Sequence, residues 1–335
     1  MTSETAAFIV PHFNNGNEKE LIWLSEALSS IEQQTDKDWI IILVDDASTS
    51  ENAINYLYRL KGNFAEKMKL IFLSENKGPG NARNIGISIA YQLGCSFVMY
   101  LDQDDIAHPK RLEITRKILK QHPEIDVVYS SFQVIDETGN CVSEQDILPS
   151  IIEILEQHRK KPPQGKDVWI KIATETGYVN LTSSTSVRTN VAYSFPFPNE
   201  RVSEDYYTWL VYSASGSQYI YSALIPAKYR IPRNSDGSRT RSMLGSKHTF
   251  NMIKSIVDMR GLQTAMDLAS ANGTLTVKQI KDIKIRFCLR KAKSMILDDE
   301  REIAMDYYRR AIEIDDELMN KLQYVLDEVE DKKGG

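Results

Sequence analysis

The stretch FVMYLDQDD, residues 97–105, decides the fold. An apolar run, Phe97 to Leu101, stops at Asp102, Asp104 and Asp105. Carboxylates this close repel and raise each other's pKa, so a buried strand ending this way calls for positive charge beside it. Three earlier segments have the same form. Ala6–Val10 reads as a strand ended by Pro11 and followed by His12, Phe13, Asn14 and Asn15. Trp39–Val44 is followed by Asp45-Asp46-Ala47-Ser48, and Lys69–Leu73 leads to Asn76-Lys77-Gly78. Helical spacing of apolar residues fills the gaps, at residues 18–34, 50–61 and 80–93. Alternating strands and helices imply a parallel sheet with right-handed crossovers. Ligands bind such sheets outside the carboxyl ends of the strands, and the polar clusters all fall on that edge.

The remainder reads as mixed and then helical. Pro109–Gln121 is a helix, Asp126–Tyr129 and Phe132–Ile135 are two strands, and residues 148–160 and 166–175 are helical. Thr182–Arg188 is a polar strand, Glu204–Ser213 a helix, and Gln218–Arg230 strands around Pro226. Residues 233–242 are a polar, basic loop, and a boundary near 243 precedes a helical region, 244–335. The 335 residues carry a net charge of −5, which provides no basic field for nucleic acid. Cys95, Cys141 and Cys288 form neither a disulfide framework nor a CxxC pair. With no basic leader and no run of roughly 18 apolar residues, the expected location is cytoplasmic.

Asp102 and Asp104, two apart, would point to one side of an extended chain. Two hard oxygen donors with open positions suit Mg²⁺ or Mn²⁺ completed by phosphate and water. A solvated turn, with Asp105 charging the start of the next helix, is the plainer alternative. Asp45 and Asp46 suit a base N–H or ribose hydroxyls, with Ser48 or Ser50 capping the following helix. Gly78-Pro79-Gly80 departs from the dinucleotide fingerprint and reads as a tight helix entry. Arg83 then faces the ligand edge or makes a surface salt bridge. Glu204-Asp205 by itself reads as a charged first helical turn.

The blocks Val10-Pro11-His12-Phe13-Asn14, Val44-Asp45-Asp46-Ala47-Ser48, Asn76-Lys77-Gly78, Ala82-Arg83-Asn84 with Gly86, and Leu101-Asp102-Gln103-Asp104-Asp105 with Pro109 are in order along the chain. They resemble the signature blocks of the family-two inverting glycosyltransferases of GT-A fold, of bacterial, non-processive type. Ser203-Glu204-Asp205 is similar to that family's later acidic motif, and Tyr229-Arg230 with Ser235 and Ser238 to its C-terminal block. The resemblance spans roughly residues 5–240. It implies an α/β GT-A fold, a Rossmann-like, mostly parallel sheet flanked by helices, over residues 1–243. Residues 1–108 would bind the nucleotide sugar and 109–243 the acceptor, followed by a C-terminal helical extension.

The resemblance also implies roles. Asp205 would be the general base. Asp46 would contact the nucleoside base beside Pro11, with Asn14, Asp45, Asn76 and Gly78 in the donor site. Arg83 would make a base or phosphate contact, Asp102 would serve the ribose or metal, and Asp104 would be the main metal ligand. Glu204 and Arg239 join the substrate-binding set. The implied donor is a nucleoside-diphosphate sugar, above all a UDP-sugar, with Mn²⁺ or Mg²⁺. The acceptor would be a glycan, a lipid-linked molecule or a small molecule, in cell-surface glycan synthesis. His12 replaces the family's usual aromatic. Pro232 stands where a metal-side His is frequent, so a third protein ligand would fall to His248 or Asp236. The Gln-Xaa-Xaa-Arg-Trp signature of processive synthases is absent, which points to single-sugar transfer. Ser183–Ser186 reads as an acceptor-side wall or a solvated edge strand. Arg233, Arg239 and Arg241 are expected to close over the diphosphate. The tail would pack on the catalytic domain or form a homodimer, and Lys281–Lys293 would touch anionic lipid at the inner membrane face or stay solvated. Two competing expectations are a nucleotidyltransferase, which would carry a Gly-rich basic loop after the first strand, and a silent sugar-nucleotide scaffold.

Overall fold

Side chains alternate along a strand, so strands covered on both faces feed two cores. In the computed structural model, which describes residues 4–233 and 244–319, strand β1 (Ala6–His12) is buried throughout. Ala7 and Ile9 enter one core, and Ala6, Phe8 and Val10 the other. β2 (Trp39–Asp45) divides in the same way, Ile42 and Val44 against Ile41 and Leu43. Helices α1 (Glu18–Glu32), α2 (Glu51–Phe64) and α3 (Pro79–Gln92) connect β1, β2, β3 (Met68–Phe72) and β4 (Phe97–Tyr100), which run parallel. Asn17 caps α1, and Ser50 rather than Ser48 caps α2.

The second half adds α4 (Arg111–Gln121), β5 (Ile125–Ile135), α5 (Pro149–Lys160), α6 (Val168–Lys171), a π-helical turn (Ile172–Thr176), β6 (Thr185–Arg188), α7 (Thr189–Ser194), α8 (Glu204–Ala214) and β7 (Gln218–Arg230). The seven strands lie in the order β3-β2-β1-β4-β6-β5-β7. β6 is antiparallel to β4 and β5, while β5 and β7 pair in parallel. The mostly parallel sheet is therefore present. Its order reverses between β1 and β4, where a ligand crevice is expected.

Four local expectations are corrected. β1 does not end at Pro11 but continues to His12. Ile9 accepts from Leu101 on the β4 side and His12 from Asp46 on the β2 side. By that alternation Pro11 turns its missing N–H toward β4 where the ladder has already ended, so the proline breaks nothing. The two strands expected over 126–135 are one, β5, with a register shift between Ser130 and Phe132. Opposite it β7 is also one strand, and its residues 223–226, Pro226 among them, absorb that shift. Ser183–Ser186 is not a solvated edge: Thr182–Ser184 is a 3₁₀ turn and β6 lies inside the sheet, with all four residues buried.

After residue 243 come α9 (Lys247–Ala271), α10 (Val277–Leu297) and α11 (Arg301–Ile314). Their Leu262, Ala265, Phe287 and Tyr307 share one apolar cluster with Trp169, Tyr206 and Trp209. The basic segment is partly spent inside. Arg290 donates to Ala173 O at 2.9 Å, Arg286 bonds Thr174 and Glu175, and Lys291 is buried. No helix among the described residues is long and apolar enough to cross a membrane.

Gly86 lets α3 approach the sheet, since a Cβ there would meet Ile9 Cγ2 at 2.6 Å. Gly86→Ala is expected to lower unfolding free energy by about 1–2 kcal/mol, overpacking outweighing a helix-propensity gain of about 1 kcal/mol. Urea denaturation measures it.

Candidate active site

Residues 102–105 form a turn, not an extended segment: Asp105 N–H donates to Asp102 O at 3.2 Å. The extended-chain argument for a same-side pairing of Asp102 and Asp104 therefore does not hold here. The positive charge demanded by this cluster is Arg83. Its guanidinium, nearly all buried, donates to Asp102 Oδ1 at 2.7 Å and to Glu204 Oε1 at 2.9 Å. The surface salt bridge is thus excluded. Burial alone would weaken the guanidinium's hold on its proton, but Asp102 and Glu204 outweigh it and keep the group charged.

Asp105 does not charge a helix start. It is buried and accepts Arg230 N–H at 2.8 Å, which ties the turn to the end of β7. Burial, with Asp104 and Asp102 adding to it, pushes its pKa well above the ordinary carboxylate range. Behind it Arg111 is buried and donates to Tyr100 O and Thr185 O. Asp102 N–H donates to Ser183 Oγ at 2.9 Å, so this serine fixes the acidic turn.

On the β1–β2 side, Asp46 accepts from Lys77 N–H at 2.9 Å and Gly78 N–H at 2.7 Å, pinning the loop after β3. Burial raises its pKa against those bonds and the pull of Arg201. Gly78, at φ +92°, lies under Arg201, whose guanidinium donates to Asn76 O. A cleft of about 400 Å³, lined by Asn76, Lys77, Glu200, Arg201, Leu244 and Ile253, opens beside this loop. Asp45 turns back on its own loop and accepts Ser48 N–H and O–H at 2.9 and 2.5 Å. Asn14 is equally knitted in: its N–H donates to Ser48 Oγ, its Nδ2 to Asn17 O, and its Oδ1 accepts Gly16 N–H. Gln103 stitches the two loops together, accepting Phe13 N–H at 3.0 Å and donating to Phe13 O.

Asp205 opens α8. Its Oδ1 accepts from Tyr178 OH at 3.1 Å and from Tyr206 N–H at 2.8 Å. Burial raises its pKa, against the pull of Arg83. Glu204 is pushed up to about 7 by burial and by Asp205 beside it. This first helical turn is therefore no solvated cap. Glu204 sits buried and Asp205 half-buried next to the Arg83 bridge.

The acidic turn supplies hard oxygen donors, but no three His, Cys, Asp or Glu among the described residues converge as a metal cage. Two carboxylates fit a divalent cation that draws its remaining ligands from phosphate and water. Of the two candidates for a third protein ligand, His248 is taken up by Glu300, its Nδ1 lying 2.7 Å from Glu300 Oε2. Asp236 falls outside the described residues, as do Arg239, Arg241, Ser235 and Ser238. Arg233 is anchored to Asp136 at 2.9 Å.

The sequence did not point to Tyr178, Gln103 or Arg111, and it pointed to Ser183 as part of an acceptor-side wall, not as the partner of the Asp102 N–H. Only Gln103 carried a usable signal, standing between the aspartates it serves.

A model of glycosyl transferase family 2 matches residues 7–180. An uncharacterized glycosyltransferase of Methanocaldococcus jannaschii is 27% identical over 235 residues, which are 69% of this chain and 73% of that protein. One of Rickettsia felis is 33% identical over 136 residues, 40% of this chain, and the chain spans only 20% of its length. TarS of S. aureus in complex with UDP-GlcNAc has a TM-score of 0.56 at 15% identity, covering 92% of this chain and 89% of that one. The mannosyltransferase PcManGT from Pyrobaculum calidifontis, in complex with GDP-Man and Mn²⁺, has a TM-score of 0.53 at 14% identity, covering 96% and 80%. The two structures share the fold.

Removing one partner of a buried bridge costs about 3–5 kcal/mol. Arg83→Met is expected to lose about that much at pH 7.5 and less at pH 5.5. Without Arg83 the folded-state pKa of Glu204 rises further above its unfolded value. Glu204 then favours folding at low pH and loses that contribution as pH rises. Urea midpoints at the two pH values test this, and equal losses at both would contradict it.

Proposed function

The chain belongs to glycosyl transferase family 2, and on that premise we propose that it moves one sugar from a nucleoside-diphosphate donor, a UDP-sugar first, to an acceptor hydroxyl with inversion. The observation that carries this reading is the Arg83 bridge, which joins the Asp102–Asp104 turn to the helix start that bears Asp205. The donor-bound states of TarS and PcManGT support a nucleotide-sugar donor, and the Mn²⁺ of the latter supports a divalent cation.

The acceptor oxygen bonds to the anomeric carbon from the face opposite the nucleotide. The bond from that carbon to the diphosphate oxygen breaks, and its electron pair leaves on the nucleoside diphosphate. Asp205 takes the hydroxyl proton. Its raised pKa makes it a stronger base than an exposed aspartate, and such proton transfer is typically worth ~10²–10⁴ in rate. Asp102 and Asp104 would hold Mn²⁺ or Mg²⁺, which when bound offsets the charge of the departing diphosphate. Asp46, Pro11, Asn76 and Gly78 border the nucleoside side, while Asp45 and Asn14 shape that side through Ser48. A glycan, lipid-linked or small-molecule hydroxyl is the acceptor class, reached from the α8 side.

A panel of UDP-, GDP- and TDP-sugars with Mn²⁺ or Mg²⁺ should yield nucleoside diphosphate from at least one donor. Asp205→Asn should cut that turnover by ~10²–10⁴ while calorimetric nucleotide binding stays intact. No release and no binding across the panel would end the proposal. Because Asp205 must be ionised and its pKa is raised, the wild-type rate should fall on acidification with a midpoint above the ordinary aspartate value of about 3.9. A rate that is flat down to pH 4 would contradict this.

A further inference from the structure

We propose that the helical tail takes part in catalysis: Asp258 on α9, paired with Lys291 on α10, positions Asp205 through Ser203 and Tyr178. This rests on Asp205 being the proton acceptor. Four contacts link the tail to the base. Lys291 Nζ pairs with Asp258 Oδ2. Ser203 Oγ donates to Asp258 Oδ1 at 2.5 Å. The Ser203 and Tyr178 hydroxyls lie 3.1 Å apart, and Tyr178 OH donates to Asp205 Oδ1 at 3.1 Å; with each hydroxyl's one proton given to a carboxylate, the two oxygens touch without a hydrogen bond between them, and the link is one of position. Asp258 and Lys291 are 1% and 5% exposed, so this pair is sealed from water.

A second observation is independent of the Tyr178 contact. Ser203, the residue before α8, has φ 60° and ψ 18°, the left-handed region that a residue with a Cβ avoids. Such a backbone persists when its surroundings over-determine it, and the strongest anchor on Ser203 is the carboxylate of Asp258. The direction in which α8 starts, and with it the aim of Asp205, therefore depends on a helix far along the chain. A buried ion pair adds little stability over apolar residues of similar volume. What this one supplies is a fixed, charged acceptor for Ser203. The Lys291 ammonium is also held over the Tyr206 ring at 4.3 Å, and Tyr206 packs on Tyr178 with ring centroids 5.1 Å apart. Lys291 thus holds Asp258 directly and reaches Tyr178 only through the Tyr206 ring. Asp258 and Lys291 are positioning residues, since neither touches Asp205.

The test uses the full chain and the donor that the wild type turns over, with Mn²⁺ present. The double variant Asp258→Leu with Lys291→Met replaces the pair by apolar volume. It should stay folded by circular dichroism, bind UDP or GDP as the wild type does, and lose ~10–100-fold in kcat with KM for the donor unchanged. Tyr178→Phe is the second variant. It removes a hydrogen bond that lowers the Asp205 pKa, so the acid limb of the kcat profile should move to higher pH. Arg83, Asp102 and Glu204, the charged groups that also face Asp205, are untouched by that change. Wild-type kcat in the double variant, or an unmoved limb in Tyr178→Phe, overturns the role of the tail while the activity stands. Absence of turnover by the wild type with every donor overturns both.

Discussion

A single buried guanidinium holds the two walls of the crevice together. Arg83 reaches Asp102 at the end of β4 with one arm and Glu204 at the start of α8 with the other. Its own helix, α3, is pressed on the sheet because Gly86 leaves room. Asp102, Glu204 and Asp205 converge there on one cation. Arg111 and Arg230 lie behind the turn and give N–H groups to backbone carbonyls.

Much of the fold was legible because strands covered on both faces leave a plain trace. β1, β2 and β4 are continuous apolar runs, and three of the four strand-end polar clusters follow one of them, the fourth following β3. Pro11 misled because proline usually stops a ladder. Here its N–H would have pointed to the side where no partner remains. The division of β5 and β7 into shorter strands failed because a register shift shared by two neighbours looks, in either sequence, like a break.

The site was legible where neighbours in sequence do the work, as in Asp102-Gln103-Asp104, and obscure where fold contacts do. Ser183 meets Asp102 across 81 residues, and Tyr178 meets Asp205 across 27. No local pattern announces either. The split between Asp45 and Asp46 was likewise hidden. Adjacent strand residues point to opposite sides, so two consecutive aspartates serve different loops. The tail was legible as helix but not as a neighbour of the base, because its buried Lys291 stands within a run of ordinary surface cations.

The position of Pro11 has one more outcome. Past the last β1–β4 pair, the next β1 residue facing that side is Pro11, which is buried and brings no N–H, and Phe13 beyond it is taken by the amide of Gln103. That end of the ladder closes on a side chain instead of lengthening by a further rung. The same imino ring that looks like a flaw in the strand leaves β1 and β4 without a rung where the mouth of the crevice opens.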